Sequence, residues 1–355
     1  MLIRGKRIDA VGPTSTVSVP ADSRVIDATG KTVVPGLADM HVHLVGGWDG
    51  ENNDMLSYQR YLNALLYAGV TTVLDTGNVQ PYILQMRQEV ASGRLMGPRI
   101  YCGGALIDGP DPIWPELSIS VSSASQIPSL VQRQKSLGVD VLKAYAGLSV
   151  PEVARLVAEG QKVGLRVFVD QGRRNGPTDL MKTGIAGFAH LPRAFILSDE
   201  GIDLARTTPV SFITTIATTE AFAGRRLQHT EFVNQPLIQD TSPPWFLEQL
   251  RAFASRNETS EMAARRAGWD HEFKTLETNA GKLWKAGGLA SGEWGTLQPG
   301  RSADLLVING NPEHDIRDTH NIEIVIKEGV ALDRQKLMFN AARDSGFRTF
   351  APLQK

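Results

Sequence analysis

Two periodicities alternate along this chain. Arg60 to Ala68, RYLNALLYA, spaces its apolar residues as a helix does and is stopped by Gly69. Val70 to Leu74 then reads as a strand, closed by Asp75-Thr76-Gly77. The alternation returns downstream. Val139 to Tyr145 reads as a strand, Pro151 to Val163 as a helix with proline in its first turn and Gly164 at its end, and Leu165 to Val169 as a strand. A short helix over Thr178 to Thr183 precedes strands over Ile185 to His190 and Val210 to Thr215, and Leu276 to Ala286 reads as a further helix. Strands alternating with helices predict an α/β fold, either a parallel barrel or a doubly wound sheet. Polar residues collect where the strands end, which favours the barrel, because barrel sites sit on that face.

The two ends of the chain have another texture. Leu2 to Ala28 shows short apolar runs broken by Gly, Pro and Asp, as hairpins do. Gly292 to Pro312 has the same character, with Gln298-Pro299-Gly300 as a turn and Asp304 to Ile308 as a strand. Ile322 to Ile326, Lys327-Glu328-Gly329 and Val330 follow as strand, turn and strand, and Asp304 reads as a turn or cap residue. Composition changes this picture little. The chain's 355 residues, 42% hydrophobic and 21% charged, suffice for one large domain and a smaller one. A net charge of -1 gives no reason to expect nucleic acid or an anionic membrane as partner. No apolar run is long enough to span a bilayer. The lone Cys102 rules out an intrachain disulfide. No signal peptide is visible at Met1, so the sequence as given reads as cytoplasmic, subject to how the chain opens.

The candidate chemistry lies at strand ends. His41 and His43 close the run GKTVVPGLADMHVHL. Alternate strand residues share a face, so both imidazoles aim the same way and can share one metal ion, for which zinc suits imidazole. The plain alternative is a pair of surface or core histidines. Lys143 ends an apolar strand, where barrel interiors exclude unpaired charge. Either its ammonium reaches solvent or a carboxylate, or it has a chemical task. His190 closes GIAGFAHLP and Asp170 closes GLRVFVDQG. A histidine in such a place is ordinarily a satisfied core residue and otherwise a ligand.

GKTVVPGLADMHVHL resembles the first barrel strand of the amidohydrolase superfamily, metal-dependent hydrolases built on a TIM-like barrel. GTLQPGRSADLLVI is similar to that family's closing β segment, and VDVLKAYAG to strand four of its imidazolonepropionase-like and prolidase-like branch. The resemblance implies a (β/α)8 barrel over residues 35–291 and a small β sandwich formed by 1–34 and 292–355. It implies that His41 and His43 hold a first metal. Lys143, carboxylated by carbon dioxide, would bridge to a second metal held by His190. Burial lowers a lysine pKa in the direction that reaction needs. Asp170 stands where the family has a histidine, so it either ligates with altered charge or the second site is lost. Tyr145 and Arg193 would contact substrate. The implied activity is hydrolysis of an amide-type bond, peptide-like or cyclic, in a small molecule. One or two divalent metals, zinc foremost, would activate water and polarise the carbonyl. A homo-oligomer is expected, as in many members. The alternatives are a lactonase or phosphotriesterase-like hydrolase, or a metal-poor binding homologue that has lost catalysis. Specificity is expected in the loops Gly46 to Asp54 and Gly103 to Glu116, the second, with Trp114, acting as a lid.

One departure is larger. The family's eighth strand ends in an aspartate, usually in Gly-Thr-Asp, that serves as general base, and no such strand follows His190. Asp270 and His271 have no strand before them and read as surface residues. A barrel without its eighth strand exposes two parallel edges. The expectation is therefore that residues are missing between Gly288 and Leu289, with Cα atoms there separated by well over the ~3.8 Å of a trans peptide. The opening MLIRGKRIDAVGP, which resembles the middle of the family's first β segment, points the same way. An ordinary peptide bond at that junction would instead mean a truncated form without its base.

Overall fold

The computed structural model describes residues 1–45, 58–225, 230–254, 259–287 and 295–344. The chain opens with β1 (Leu2–Arg4), β2 (Arg7–Ala10) and β3 (Thr32–Pro35). Then follow β4 (Leu37–Val42), α1 (Tyr58–Tyr67), β5 (Val70–Asp75), α2 (Gln80–Ala91), β6 (Arg99–Cys102), β7 (Leu106–Asp108) and β8 (Ser118–Ser120). The alternation continues through α3 (Ile127–Leu137), β9 (Val141–Ala144), α4 (Val150–Val163), β10 (Arg166–Val169), α5 (Pro177–Lys182), β11 (Gly187–Phe188), α6 (Asp199–Thr207) and β12 (Ser211–Phe212). Helices α7 (Ile216–Phe222), α8 (Pro236–Gln239), α9 (Pro244–Ala254) and α10 (Ser260–Lys285) lead to the closing strands β13 (Leu305–Ile308), β14 (Ile322–Lys327) and β15 (Val330–Ala331).

Local chemistry sets these limits. The backbone N–H of Ser149 donates to Glu152 Oε2 at 2.8 Å at the start of α4, and Gly164 ends that helix at φ 72°. Gly69 stops α1 at φ 83°, and a Cβ there would lie 2.7 Å from Leu306 Cδ1. Glycine thus serves both the turn and the close approach of the α1–β5 corner to β13.

Most parallel strands are neighbours in chain order; the exception is β8, which pairs outside β7 while β7 itself pairs with β9. β4, β5 and β6 pair in parallel, as do β9, β10, β11 and β12. The two runs meet where Asp140 N–H donates to Cys102 O at 2.9 Å. Within each of these two runs the order does not reverse as it does in a doubly wound sheet. The helices' apolar stripes cover the strands: Val153, Leu156 and Val157 of α4 pack with Leu142, Val167 and Phe188 in one buried cluster. Burying each such side chain contributes about 1.5–3 kcal/mol. β4 is exposed, with Leu37 49% and Met40 44% accessible, and Ser211 of β12 is exposed too. Among the described residues no strand lies between β12 and the closing sheet. The Gly288–Leu289 junction lies outside them, as do residues 46–57 and with them the loop Gly46 to Asp54.

The chain ends share a sheet of order β15-β14-β13-β3, antiparallel throughout. Arg99, at the start of β6, ties it to the parallel strands, reaching Asp304 at 3.2 Å and Glu328 at 3.0 Å. Lys6 adds a second cation at 2.7 Å from Glu328. The Lys6 ammonium, then Arg99, hold the Glu328 carboxyl down at about 2. A depressed carboxylate stabilises above its unfolded pKa of about 4.3, and that contribution is lost as pH falls through the folded value. Glu328→Gln should therefore cost about 1–2 kcal/mol at neutral pH, a figure discounted because Lys6 is exposed, and should flatten the fall in stability between about pH 4 and 2. Thermal melts of both proteins across that range check this.

Several expectations need correction. Only one hairpin, β1–β2, forms in residues 1–31, because the Pro- and Asp-rich stretch after Ala10 pairs with no strand. The strands predicted over 185–190 and 210–215 shrink to Gly187–Phe188 and Ser211–Phe212, since their outer residues bend into the loops that carry His190 and Thr215. The helix predicted over 276–286 begins at Ser260. Its first half is polar, and its buried stripe of Phe273, Leu276 and Leu283 lies in the second half. Asp270 and His271 lie on this helix, and Asp270 is half-buried in ion pairs with Arg225 and Lys274. The segment 103–116 is only partly loop: Leu106, Ile107 and Asp108 form the buried strand β7.

Candidate metal centre

β4 and the residue after it carry His41 and His43, β9 carries Lys143, and Asp170 and His190 follow β10 and β11. The order of the parallel strands brings all five to the face formed by their C-terminal ends. His41 Nδ1 lies 2.7 Å from Ala189 O, and His43 Nδ1 lies 2.6 Å from Gly77 O. A carbonyl only accepts, so each Nδ1 carries the proton and each Nε2 carries a lone pair. Those two Nε2 atoms face each other at 3.2 Å.

Two lone pairs at that distance repel unless a cation lies between them. A proton is a poor answer here. Burial first, then Lys143 and His190, push His41 far below its ordinary pKa. His43 is exposed to solvent on one side, yet desolvation of its ring, outweighing the Gly77 carbonyl, takes it down to about 4. A divalent metal fits better. Two nitrogens at zinc's usual bond length on a tetrahedral ion stand ~3.3–3.4 Å apart.

Lys143 is the largest side chain in the fully buried set, 1% accessible, and its Nζ has no hydrogen-bond partner. Loss of water lowers its pKa to about 8, against the opposing pull of Asp170. A buried, unpartnered, readily deprotonated amine has the properties that reaction with carbon dioxide requires.

His190 and Asp170 are arranged differently. His190 Nε2 lies 3.3 Å from Asp170 Oδ2, and its Nδ1 lies 3.1 Å from Thr215 Oγ1. The carboxylate and the Thr215 hydroxyl thus flank the two ring nitrogens of His190. Thr215 has φ 45°, a strained conformation for a β-branched residue, at its contact with His190. Asp170 also accepts from Gly172 N–H at 2.9 Å and faces Arg193 at 3.9 Å. Among the described residues no group of three or more His, Cys, Asp or Glu side chains is arranged to hold a metal ion. The lone-pair argument therefore rests on the His41–His43 pair with the Lys143 amine.

Tyr145 and Arg193 border the cluster. Tyr145 Oη accepts from Trp114 Nε1 at 3.1 Å, and burial pushes its phenol well above its ordinary pKa. Lys143 Nζ lies 5.8 Å from its ring. Arg193 donates to Glu272 Oε2 at 3.0 Å and lies over Trp269. Two buried acids escaped the sequence reading. Glu272, on α10, also pairs with Arg173, and nothing in the polar first half of that helix announces it. Asp75 is fully buried behind His43, and its place in the strand-closing Asp75-Thr76-Gly77 was a signal read only as a turn.

Parts of this chain match known proteins. The model of the amidohydrolase family matches residues 32–160. An enamidase of Eubacterium barkeri is 35% identical over 71 residues, 20% of this chain and 18% of that protein. An imidazolonepropionase of Alkaliphilus metalliredigens (strain QYMF) is 40% identical over 72 residues, 19% of this chain and 17% of that protein. Each match thus spans less than a fifth of the relative's own length. Among solved structures, a Xaa-Pro dipeptidase with methionine in its active site superposes with TM-score 0.64 at 18% identity, covering 93% of this chain and 94% of that one. A molinate hydrolase gives 0.64 at 20%, covering 94% and 90%. At such identities the likeness shows the fold.

Proposed function

We propose that the chain belongs to the amidohydrolase superfamily and is a metal-dependent hydrolase of amide-type bonds in a small molecule. The observation that carries this reading is the 3.2 Å approach of the two His Nε2 atoms, with both Nδ1 protons committed to carbonyls. His41, His43 and Lys143 would hold one divalent ion, zinc foremost. When bound, such an ion supplies Lewis acidity toward a scissile carbonyl and toward water. Lys143 loses its proton in a dry setting and, as its carbamate, brings the negative charge that two neutral imidazoles lack. Asp170 lies beside His190 Nε2, so the two would face a second ion together. Arg193, held by Glu272, and Tyr145, held by Trp114, would bound the substrate. We further propose that the parallel strands form an incomplete (β/α)8 barrel over 35–291, beside a small β sandwich formed by 1–34 and 292–355.

A second reading, a binding homologue with impaired catalysis, is favoured by one observation. No Gly-Thr-Asp segment follows His190 in the sequence to supply a general base. Zinc-loaded protein assayed on blocked dipeptides, cyclic amides, lactones and organophosphates separates the readings. We expect turnover of an amide substrate. Turnover confined to lactones or phosphotriesters would move the assignment, and inertness on all classes in a zinc-replete protein would establish the binding homologue.

A further inference from the structure

His43 presents its Nε2 only because its Nδ1 proton is parked on the Gly77 carbonyl, and that carbonyl is itself held in place. Asp75 Oδ1 accepts from Gly77 N–H at 3.1 Å. Asp75 Oδ2 accepts from Leu44 N–H, the peptide that follows His43, at 2.9 Å. One carboxylate thus grips the chain on both sides of the His43–Gly77 contact. Asn78 Nδ2 completes the set at 2.7 Å on Oδ2. The turn has no slack: a Cβ on Gly77 would lie 2.3 Å from Leu106 Cδ2 and 3.4 Å from His43 Cε1. Asp75 itself is 0% accessible and has no cationic partner among its hydrogen bonds. Stripped of water, an isolated carboxylate is costly, and an apolar residue at the end of β5 would be the cheaper filling. The N–H donors converging on it recover part of that cost.

We propose that Asp75 is a positioning residue for His43, fixing its ring tautomer and the direction of its Nε2 by clamping Leu44 and Gly77 together. The task rests on the reading of His43 as a metal ligand, whereas the clamp itself does not. Outer partners of this kind orient a ligand imidazole, and their loss typically weakens metal binding by about 10–100-fold.

The experiment uses the full chain, with zinc as the metal. Long-range imidazole 1H–15N spectra of the metal-free protein should show His43 protonated at Nδ1. Asp75→Asn is nearly isosteric but turns one acceptor into a donor, so one arm of the clamp must open. It should give mixed His43 tautomers and a zinc affinity, by chelator competition, lower by about 10–100-fold. Asp75→Ser keeps one acceptor and serves if the first variant fails to fold, with a smaller change in the same direction expected. Asn78→Ala removes the donor that lies outside the clamp, so it should lower the metal-free melting temperature while leaving zinc affinity within about two-fold, well short of an outer-shell loss. The proposal is overturned by Nε2-protonated His43 in the wild type. It is also overturned by an Asp75 variant with wild-type tautomer and affinity, or by an Asn78→Ala loss as large as that of Asp75→Asn. Wild-type protein that binds no zinc would refute the functional reading, while the tautomer comparison would still decide the clamp.

Discussion

Lys143→Met should stabilise the metal-free protein and abolish its activity. The ammonium of Lys143 is buried without a partner, and burial takes its pKa from 10.5 to about 8. A shift of that size corresponds to a destabilisation on the order of 3 kcal/mol at neutral pH. The sign follows from proton counts. Between about pH 8 and 10.4 the unfolded chain binds the lysine proton and the folded chain does not, so stability rises with pH across that window. Below it the penalty is present in full. Methionine fills nearly the same volume without charge, so the variant should melt higher at pH 7 and lose the rise between pH 8 and 10. The same substitution removes the amine that would react with carbon dioxide, and turnover should fall by more than about 100-fold, beyond what an outer partner controls. Wild-type protein loaded with zinc in 13C-bicarbonate should show a carbamate carbon, which Lys143→Met should lack. An unmodified ammonium in zinc-replete protein would count against this role.

His41→Ala should lose metal and activity together. His41 contributes one of the two facing lone pairs, and its Nδ1 contact with Ala189 O spans from β4 to the residue after β11. Zinc affinity and turnover should each drop by more than about 100-fold, exceeding the outer-shell range. The fold should survive, because the ring is only half-buried and the core clusters lie behind it. Circular dichroism, chelator competition and turnover on one preparation test this. An active variant that still binds zinc fully would remove His41 from the mechanism.

What the sequence disclosed depended on how local the signal was. The units β5, α4 and β9 were legible because their periodicity and terminal glycines sit within the segments themselves. His41-x-His43 was legible because strand geometry alone puts both rings on one face. α10 was legible only over Leu276 to Ala286, since its polar first half carries no local apolar periodicity and Glu272 is buried by tertiary contacts. Asp75 read as turn chemistry, and only the fold shows its carboxylate turned inward to the backbone at Leu44 and Gly77. Asp170 was placed by its strand, but its 3.3 Å contact with His190 depends on how two neighbouring strands align.

The most direct test of the account is the metal content of the folded protein. Elemental analysis of protein purified without chelator and dialysed against trace zinc should give one equivalent per chain, absent in His41→Ala. Folded wild-type protein that retains no divalent metal under those conditions would contradict it.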